Sequence, residues 1–342
     1  MCLTRQASPL RRDITVSPRT PVSTETAPVA EAAKAAEAAY AAKAREERAT
    51  GLRGSMHRRP VTWFFVLAYV LSWAAWTPYV LSQNGLGVWD FAFPGTGAAP
   101  QLLGILPGGY LGPIVSALLL TGLTEGRAGL RAWRGRMTKF RVNWRWYAVV
   151  LLSVPAALTI TSAVVTDSGP AMPTALVLAA FLPGLLGQMV TTGLAEEPGW
   201  REFAMPRLQE RYGPLAATAI VGPLWGVWHL PLFLTEWGGY PDVTWVDVLK
   251  FVITAIAFSV VMTWVFNRSS GSMPLVMLLH CGVNNYFSIA AMDMFPGLTR
   301  QDASSAFLLG SLVGALIVLV ATRGRLGAES ASGDGALPGR TA

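Results

Sequence analysis

The chain has 342 residues, of which 52% are hydrophobic and only 14% charged. An ordinary globular domain carries about a quarter charged residues, so a water-soluble protein built around one large core is excluded. The formal charge of +7 would suit nucleic acid or a membrane, and the placement of the charges excludes nucleic acid: 11 basic and 6 acidic residues precede Pro60, and the remaining 16 and 14 stand in short clusters between long apolar runs. Two cysteines, Cys2 and Cys281, exclude a disulfide framework, and no Cys/His zinc spacing occurs.

Residues 1–55 are rich in Ser, Thr, Pro and Ala and poor in large apolar side chains, so they are expected to form a disordered tail. Within it, 30–48 is rich in strong helix formers but has no apolar stripe, which predicts a helix that packs on nothing. Met56, followed by His57, Arg58 and Arg59, would also serve as a start. From there the apolar runs have lengths suited to a bilayer, about 20 residues at 1.5 Å each. Eight spans are expected, at 61–81, 102–123, 146–165, 176–195, 215–234, 248–266, 273–292 and 306–321. The expected organisation is a transmembrane domain over 56–325 and a disordered tail over 326–342.

The fold class is therefore all-α, a polytopic integral membrane protein. Orientation follows from the Lys/Arg bias of short loops. Between the second and third spans lie Arg127, Arg131, Arg134, Arg136, Lys139, Arg141 and Arg145 against one acid, Glu125. The loops at 82–101, 166–174 and 235–247 contain no Lys or Arg. The Arg-rich loop and both termini are expected in the cytoplasm, and the composition suggests a bacterial chain in the inner or plasma membrane.

An ionisable group inside an apolar span costs about 2.5–3.5 kcal/mol, so each one asks for a reason. His229 and His280 lie inside spans, and the acidic pair Glu196-Glu197 ends the fourth. Glu197 and Arg201, Trp225 and His229, and His280 and Asn284 each stand at i and i+4, on one helix face. If the chain turns at Tyr212-Gly213-Pro214, antiparallel helices put Glu196 and His229 at one depth, about 25 Å from the tip, while His280 is about 12 Å inside its span. The depths agree, in the cytoplasmic half, if the charged hairpin tip stands about 12 Å out of the bilayer. Pro198-Gly199 is expected to loosen the helix and make room for water.

A carboxylate beside a neutral imidazole can hold and deprotonate a water, and a second His with an amide neighbour can donate to an oxyanion. Glu196, His229 and His280 also form a possible divalent-metal set, such as for Zn²⁺, although HExxH is absent. A proton-relay transporter and a non-catalytic membrane scaffold would use the same buried groups.

The motifs E-E-x-x-x-R (Glu196, Glu197, Arg201), aromatic-x-x-x-H (Trp225, His229) and H-x-x-x-N (His280, Asn284) resemble the signature of the CPBP family of intramembrane proteases. That family includes type II CAAX prenyl endopeptidases and immunity-type membrane proteins. The order and spacing agree over about 176–292. The resemblance implies an endopeptidase acting on a peptide or protein substrate, with Glu196 and His229 activating water, His280 and Asn284 stabilising the oxyanion, and Glu197, Arg201 and Trp225 in support. The two-His count favours a reaction without a metal cofactor. Trp225 stands where the family often has Phe.

Overall fold

The computed structural model describes residues 51–328 together with residues 31, 34, 36, 37 and 40. These fall into two units, Met1–Gly54 and Ser55–Ala342. In the first, the described residues of the Ala-rich segment are helical and exposed; the rest of the expected tail up to residue 50, and residues 329–342, lie outside the described residues. A short helix, α1, spans Gly51–Arg58.

The second unit holds eight helices long and apolar enough to cross a membrane: α2 (Pro60–Leu81), α3 (Ala99–Thr124), α5 (Trp144–Thr166), α6 (Ala175–Tyr212), α7 (Pro214–Leu234), α8 (Trp245–Arg268), α9 (Met273–Met294) and α10 (Arg300–Thr322). A shorter amphipathic helix, α4 (Gly126–Met137), lies between α3 and α5. No strand occurs among the described residues. All eight expected spans are present, and two differ materially from the expected bounds. Helix α10 starts six residues early because Thr299 and Asp302 form a capping box ahead of the apolar run. Helix α6 does not stop at Ala195 but continues to Tyr212, because Pro198-Gly199 turns the backbone into a π-helical segment (Pro198–Ala204) rather than ending the helix.

The connections form two faces. On the Arg-rich face, Lys139 Nζ donates to the Ser270 carbonyl at 2.7 Å, and Asn267 donates to Gln209 and to the Leu326 carbonyl, each at 2.9 Å. Arg207 pairs with Glu125 on the same face. On the opposite face, Asn84 and Tyr79 donate to Glu236, and Arg300 holds the carbonyls of Glu236 and Trp237. These contacts hold the hairpin tip near Tyr212 level with the other Arg-rich-face segments. Glu210, Arg211 and Tyr212 at the tip are exposed, whereas Arg201 and Glu202, expected among its protruding charges, are buried in protein.

Helices α2 and α3 meet through small residues. Gly104, Gly108 and Gly112, one turn apart, receive Tyr79, Trp76 and Ser72, and a Cβ at any of them would overlap those side chains. The bonds Trp76 Nε1 to the Ile105 carbonyl (2.8 Å) and Ser72 Oγ to the Gly108 carbonyl (2.7 Å) fix this register. Gly108→Leu therefore forces Trp76 off its site and lowers stability by about 1–3 kcal/mol. Gly135→Ala, where a Cβ meets nothing within 4 Å, does not lower it and, inside helix α4, raises it by about 0.5–1 kcal/mol. Unfolding of both variants in mixed micelles checks the difference.

Candidate active site

The polar groups inside the bundle come from α6, α7 and α9. A π-helical turn, Met189–Gly193, precedes Glu196, and the second one follows Glu197. Such turns shift helical register by a fraction of a turn, so Glu196, Glu197 and Arg201 all face inward. Glu197 and Arg201 are fully buried, Glu196, His229 and His280 nearly so.

Glu197 is the joint of the cluster. Its Oε2 is 3.3 Å from Arg201 Nε, and its Oε1 accepts from His280 Nδ1 at 2.7 Å. Arg201 also donates to Ser259 Oγ at 3.0 Å, and its guanidinium carbon lies 4.9 Å from the centre of the Trp225 ring. The Glu197–Arg201 pair expected from i,i+4 spacing is thus present, while His280, which the motif couples to Asn284, is oriented instead by Glu197. Asn284 lines the cavity beside it, half-buried.

Trp225 occupies the centre. Its indole Nε1 donates to Glu196 Oε2 at 2.8 Å, and its ring lies edge-on to His229 (5.9 Å) and His280 (5.2 Å). His229 Nδ1 donates to the Trp225 carbonyl at 2.9 Å, since a carbonyl only accepts. Its Nε2 is thereby left 3.8 Å from Glu196 Oε2. Trp237 stacks on the other face of His229, with ring centres 5.7 Å apart and planes 12° from parallel.

These groups line a cavity of about 330 Å³ that contains Glu196, Trp225, His229, His280 and Asn284 together. The cavity also takes in Gln188, Thr192, Trp237 and Phe251, which sequence reasoning passed over. Part of that signal was legible: Gln188, Thr192 and Glu196 stand at i, i+4 and i+8, a polar stripe on an apolar helix, with Thr192 donating to Gln188 at 2.8 Å. Trp237 comes from a loop and left no periodic trace.

The cavity lies toward one end of the bundle. Its lining residues on α2, α3, α7, α8 and α10 (for example Trp76, Gln101, His229, Phe251 and Phe307) all belong to the halves of those helices toward the face opposite the Arg-rich loop. With the hairpin tip level with the Arg-rich face, the 16 residues from Glu196 to Tyr212 carry the site about 24 Å past it. His280 agrees because α9 begins below the surface, with Ser272 buried and donating to the Lys139 carbonyl at 2.7 Å.

Residues 178–286, which contain every one of these polar groups, match the family model Rce1-like, described as type II CAAX prenyl endopeptidase Rce1-like. Over those residues the chain is similar to this Rce1-like family. It is also 22% identical over 232 residues to CAAX prenyl protease 2 of Methanococcus maripaludis, an alignment covering 65% of this chain and 81% of that protein. The eight long apolar helices around that matched region make the chain a multi-pass membrane protein.

A donor set suited to a divalent cation is present. Ligand atoms of Glu196, Glu197 and His280 lie within 4.8 Å of one another. On the two histidines, Nδ1 is engaged by a carbonyl or a carboxylate and Nε2 is left over, as it is in imidazoles whose other nitrogen is held by a hydrogen bond while they bind a metal. His229, which the expected set of Glu196, His229 and His280 includes, is not part of this group, and Glu197, which is, already pairs with Arg201 and His280.

Removing Arg201 leaves Glu197 a buried anion with one partner. Arg201→Met is expected to cost about 3–5 kcal/mol, and adding Glu197→Gln to restore part of it. Unfolding midpoints of the two single variants and the double variant measure this coupling.

Proposed function

We propose that this chain hydrolyses peptide bonds from within the membrane, using Glu196 and His229 to activate water and His280 with Asn284 to hold the oxyanion. The observation that carries the reading is the 3.8 Å separation of Glu196 Oε2 and His229 Nε2 at the cavity wall. That is too long for a direct hydrogen bond, but one water bonded to both at about 2.8 Å bridges it. Such a water gives one hydrogen to the carboxylate and one to the imidazole nitrogen, leaving its lone pair free to attack.

Glu196 takes the proton as the water oxygen bonds to the scissile carbonyl carbon. The carbonyl π-electrons move to oxygen, and the resulting oxyanion accepts hydrogen bonds from His280 Nε2–H and the Asn284 amide. When the tetrahedral centre collapses, the C–N bond breaks and Glu196 returns its proton to the leaving amine. His280 has a proton on Nε2 when it is an imidazolium, since Nδ1–H is given to Glu197. That state also closes the charge count, with two carboxylates against Arg201 and His280. The Trp225 indole fixes which lone pairs of Glu196 remain open to the water, a constraint that Phe at this position lacks.

The similarity to a CAAX prenyl protease supports a peptide or protein segment at the membrane as substrate. A divalent cation such as zinc, held by Glu196, His229 and His280, would instead supply Lewis-acid polarisation of the carbonyl and a more acidic water. The metal-free reading proposed here predicts activity that survives chelation.

With purified protein and a membrane peptide library, Glu196→Gln is expected to lower kcat about 10²–10⁴-fold, and Asn284→Ala about 10²–10³-fold. Trp225→Phe is expected to lower kcat with KM little changed. Cleavage that persists in both Glu196→Gln and His229→Ala overturns the assignment. Loss of wild-type cleavage on chelation, restored by zinc, moves the mechanism to the metal.

A further inference from the structure

Helices α6 and α9 run antiparallel, and three contacts fix their register. Glu197 Oε1 accepts from His280 Nδ1, Cys281 Sγ donates to the Gln188 carbonyl at 3.2 Å, and Asn285 donates to the Phe181 carbonyl at 2.9 Å. Residue numbers fall along α6 as they rise along α9. Stepping four residues at a time from Glu196 and His280 therefore carries both helices the same way, to Thr192 and Asn284 and then to Gln188 and Ser288. All six residues line the cavity of about 330 Å³. They make three polar rungs, about 6 Å apart along the helix axes.

The first rung holds reacting groups, and the third has hydrogen-bonding capacity that the protein does not use. Thr192 Oγ1 donates to Gln188 Oε1 at 2.8 Å, which holds that amide in place with its NH₂ group left over. Neither this NH₂ group nor the Ser288 hydroxyl bonds to any described residue. A polar group kept without a partner in an apolar bundle costs about 1–3 kcal/mol, so the pair calls for a ligand that supplies acceptors. The wall contributed by α2, α7, α8 and the loop after α7 is mostly aromatic, with Trp76, Trp228, Phe251 and Trp237.

An extended peptide advances about 3.4 Å per residue and presents main-chain groups on one edge at every second residue, about 6.8 Å apart. That repeat matches the rungs. With its scissile carbonyl at Glu196 and His280, a strand lying along α6 and α9 brings the carbonyl of the fourth residue to the third rung, about 12 Å away. A helical segment has already paired its carbonyls with its own amides and leaves these donors unused. We infer that Gln188 and Ser288 form a main-chain binding subsite that holds the substrate extended, through the carbonyl of the fourth residue from the scissile bond. The subsite rests on the hydrolase reading above.

Binding to the full-length Glu196→Gln protein tests this, using dye-labelled peptides of alternating Ala and Leu, from three to nine residues long and capped at both ends so that no terminal charge contributes. Kd is expected to fall about ten-fold from the tripeptide to the nonapeptide. Gln188→Leu and, on the other helix, Ser288→Ala at the exposed rim are each expected to raise the nonapeptide Kd about three- to ten-fold, the effect of one lost hydrogen bond, with the tripeptide Kd unchanged. A tripeptide Kd that rises by the same factor shows a general structural effect and overturns the inference. So does a nonapeptide Kd that neither variant moves, or no binding at any length. Nonapeptide binding with the expected variant effects, in a protein whose wild type cleaves no peptide of the membrane library, sinks the hydrolase reading alone. Wild-type cleavage of the nonapeptide with a KM that neither variant moves sinks the subsite alone.

Discussion

Glu197 reaches Arg201 with one carboxylate oxygen and His280 with the other, and most of the site's geometry follows from that double hold. A buried charge is tolerated when it is paired and hydrogen-bonded, and an unpaired one in this setting costs several kcal/mol. The two partners lie on different elements, Arg201 one turn along α6 and His280 on α9. A single acid thus sets the rotation of α6 about its axis and the height of α9 against it. Arg201 extends the hold to α8 through Ser259 and to α7 through the Trp225 ring. Four helices are registered by one buried cation and its acid.

That arrangement demands backbone that a regular helix does not provide. With 3.6 residues per turn, adjacent Glu196 and Glu197 point about 100° apart, yet both must face inward, one to the cavity and one to the ion pair. The π-helical turns on either side of them redistribute the angle. Gly199 lets the second turn lie against Pro113 of another π-helical segment, Tyr110–Ile114. A side chain at Gly199 would meet the Pro113 backbone at 2.8 Å, closer than real Cβ contacts, so the two irregular segments depend on each other. The irregularity is concentrated where polar groups share the interior and is absent from α5, α8 and α10, which carry none of the cluster's ionisable groups.

How much of this was legible in sequence depends on range. The spans were legible because hydropathy is additive along the chain, and the i,i+4 pairs because helix geometry is local: Glu197 with Arg201 is an example of both. The Glu197–His280 bond joins residues 83 apart and follows from packing, so motif spacing assigned His280 to Asn284 instead. The apolar run of α6 ends at Ala195 while its turn at Tyr212-Gly213-Pro214 was legible from Gly and Pro; what was not legible is the π-turn at Pro198-Gly199, which lies against Pro113 across the interface. Charged residues near a hairpin tip read as exposed in an isolated sequence, whereas Arg136 and Glu197 neutralise Glu202 and Arg201 inside the protein.

The apolar composition makes α6 a helix with two environments. Leu182, Leu186 and Val190, at i, i+4 and i+8, are about three-fifths exposed, an orientation that suits lipid. Gln188, Thr192 and Glu196 keep the same spacing on the cavity side. Lipid offers a polar side chain no partner, so the polar stripe is stable only where the cavity holds water or other polar groups. The bundle therefore requires polar partners or water in its interior independently of what it does there. A polar interior that ends at a carboxylate and an imidazole 3.8 Å apart has room for one water between them, and the apolar helices around it restrict what else can reach that point.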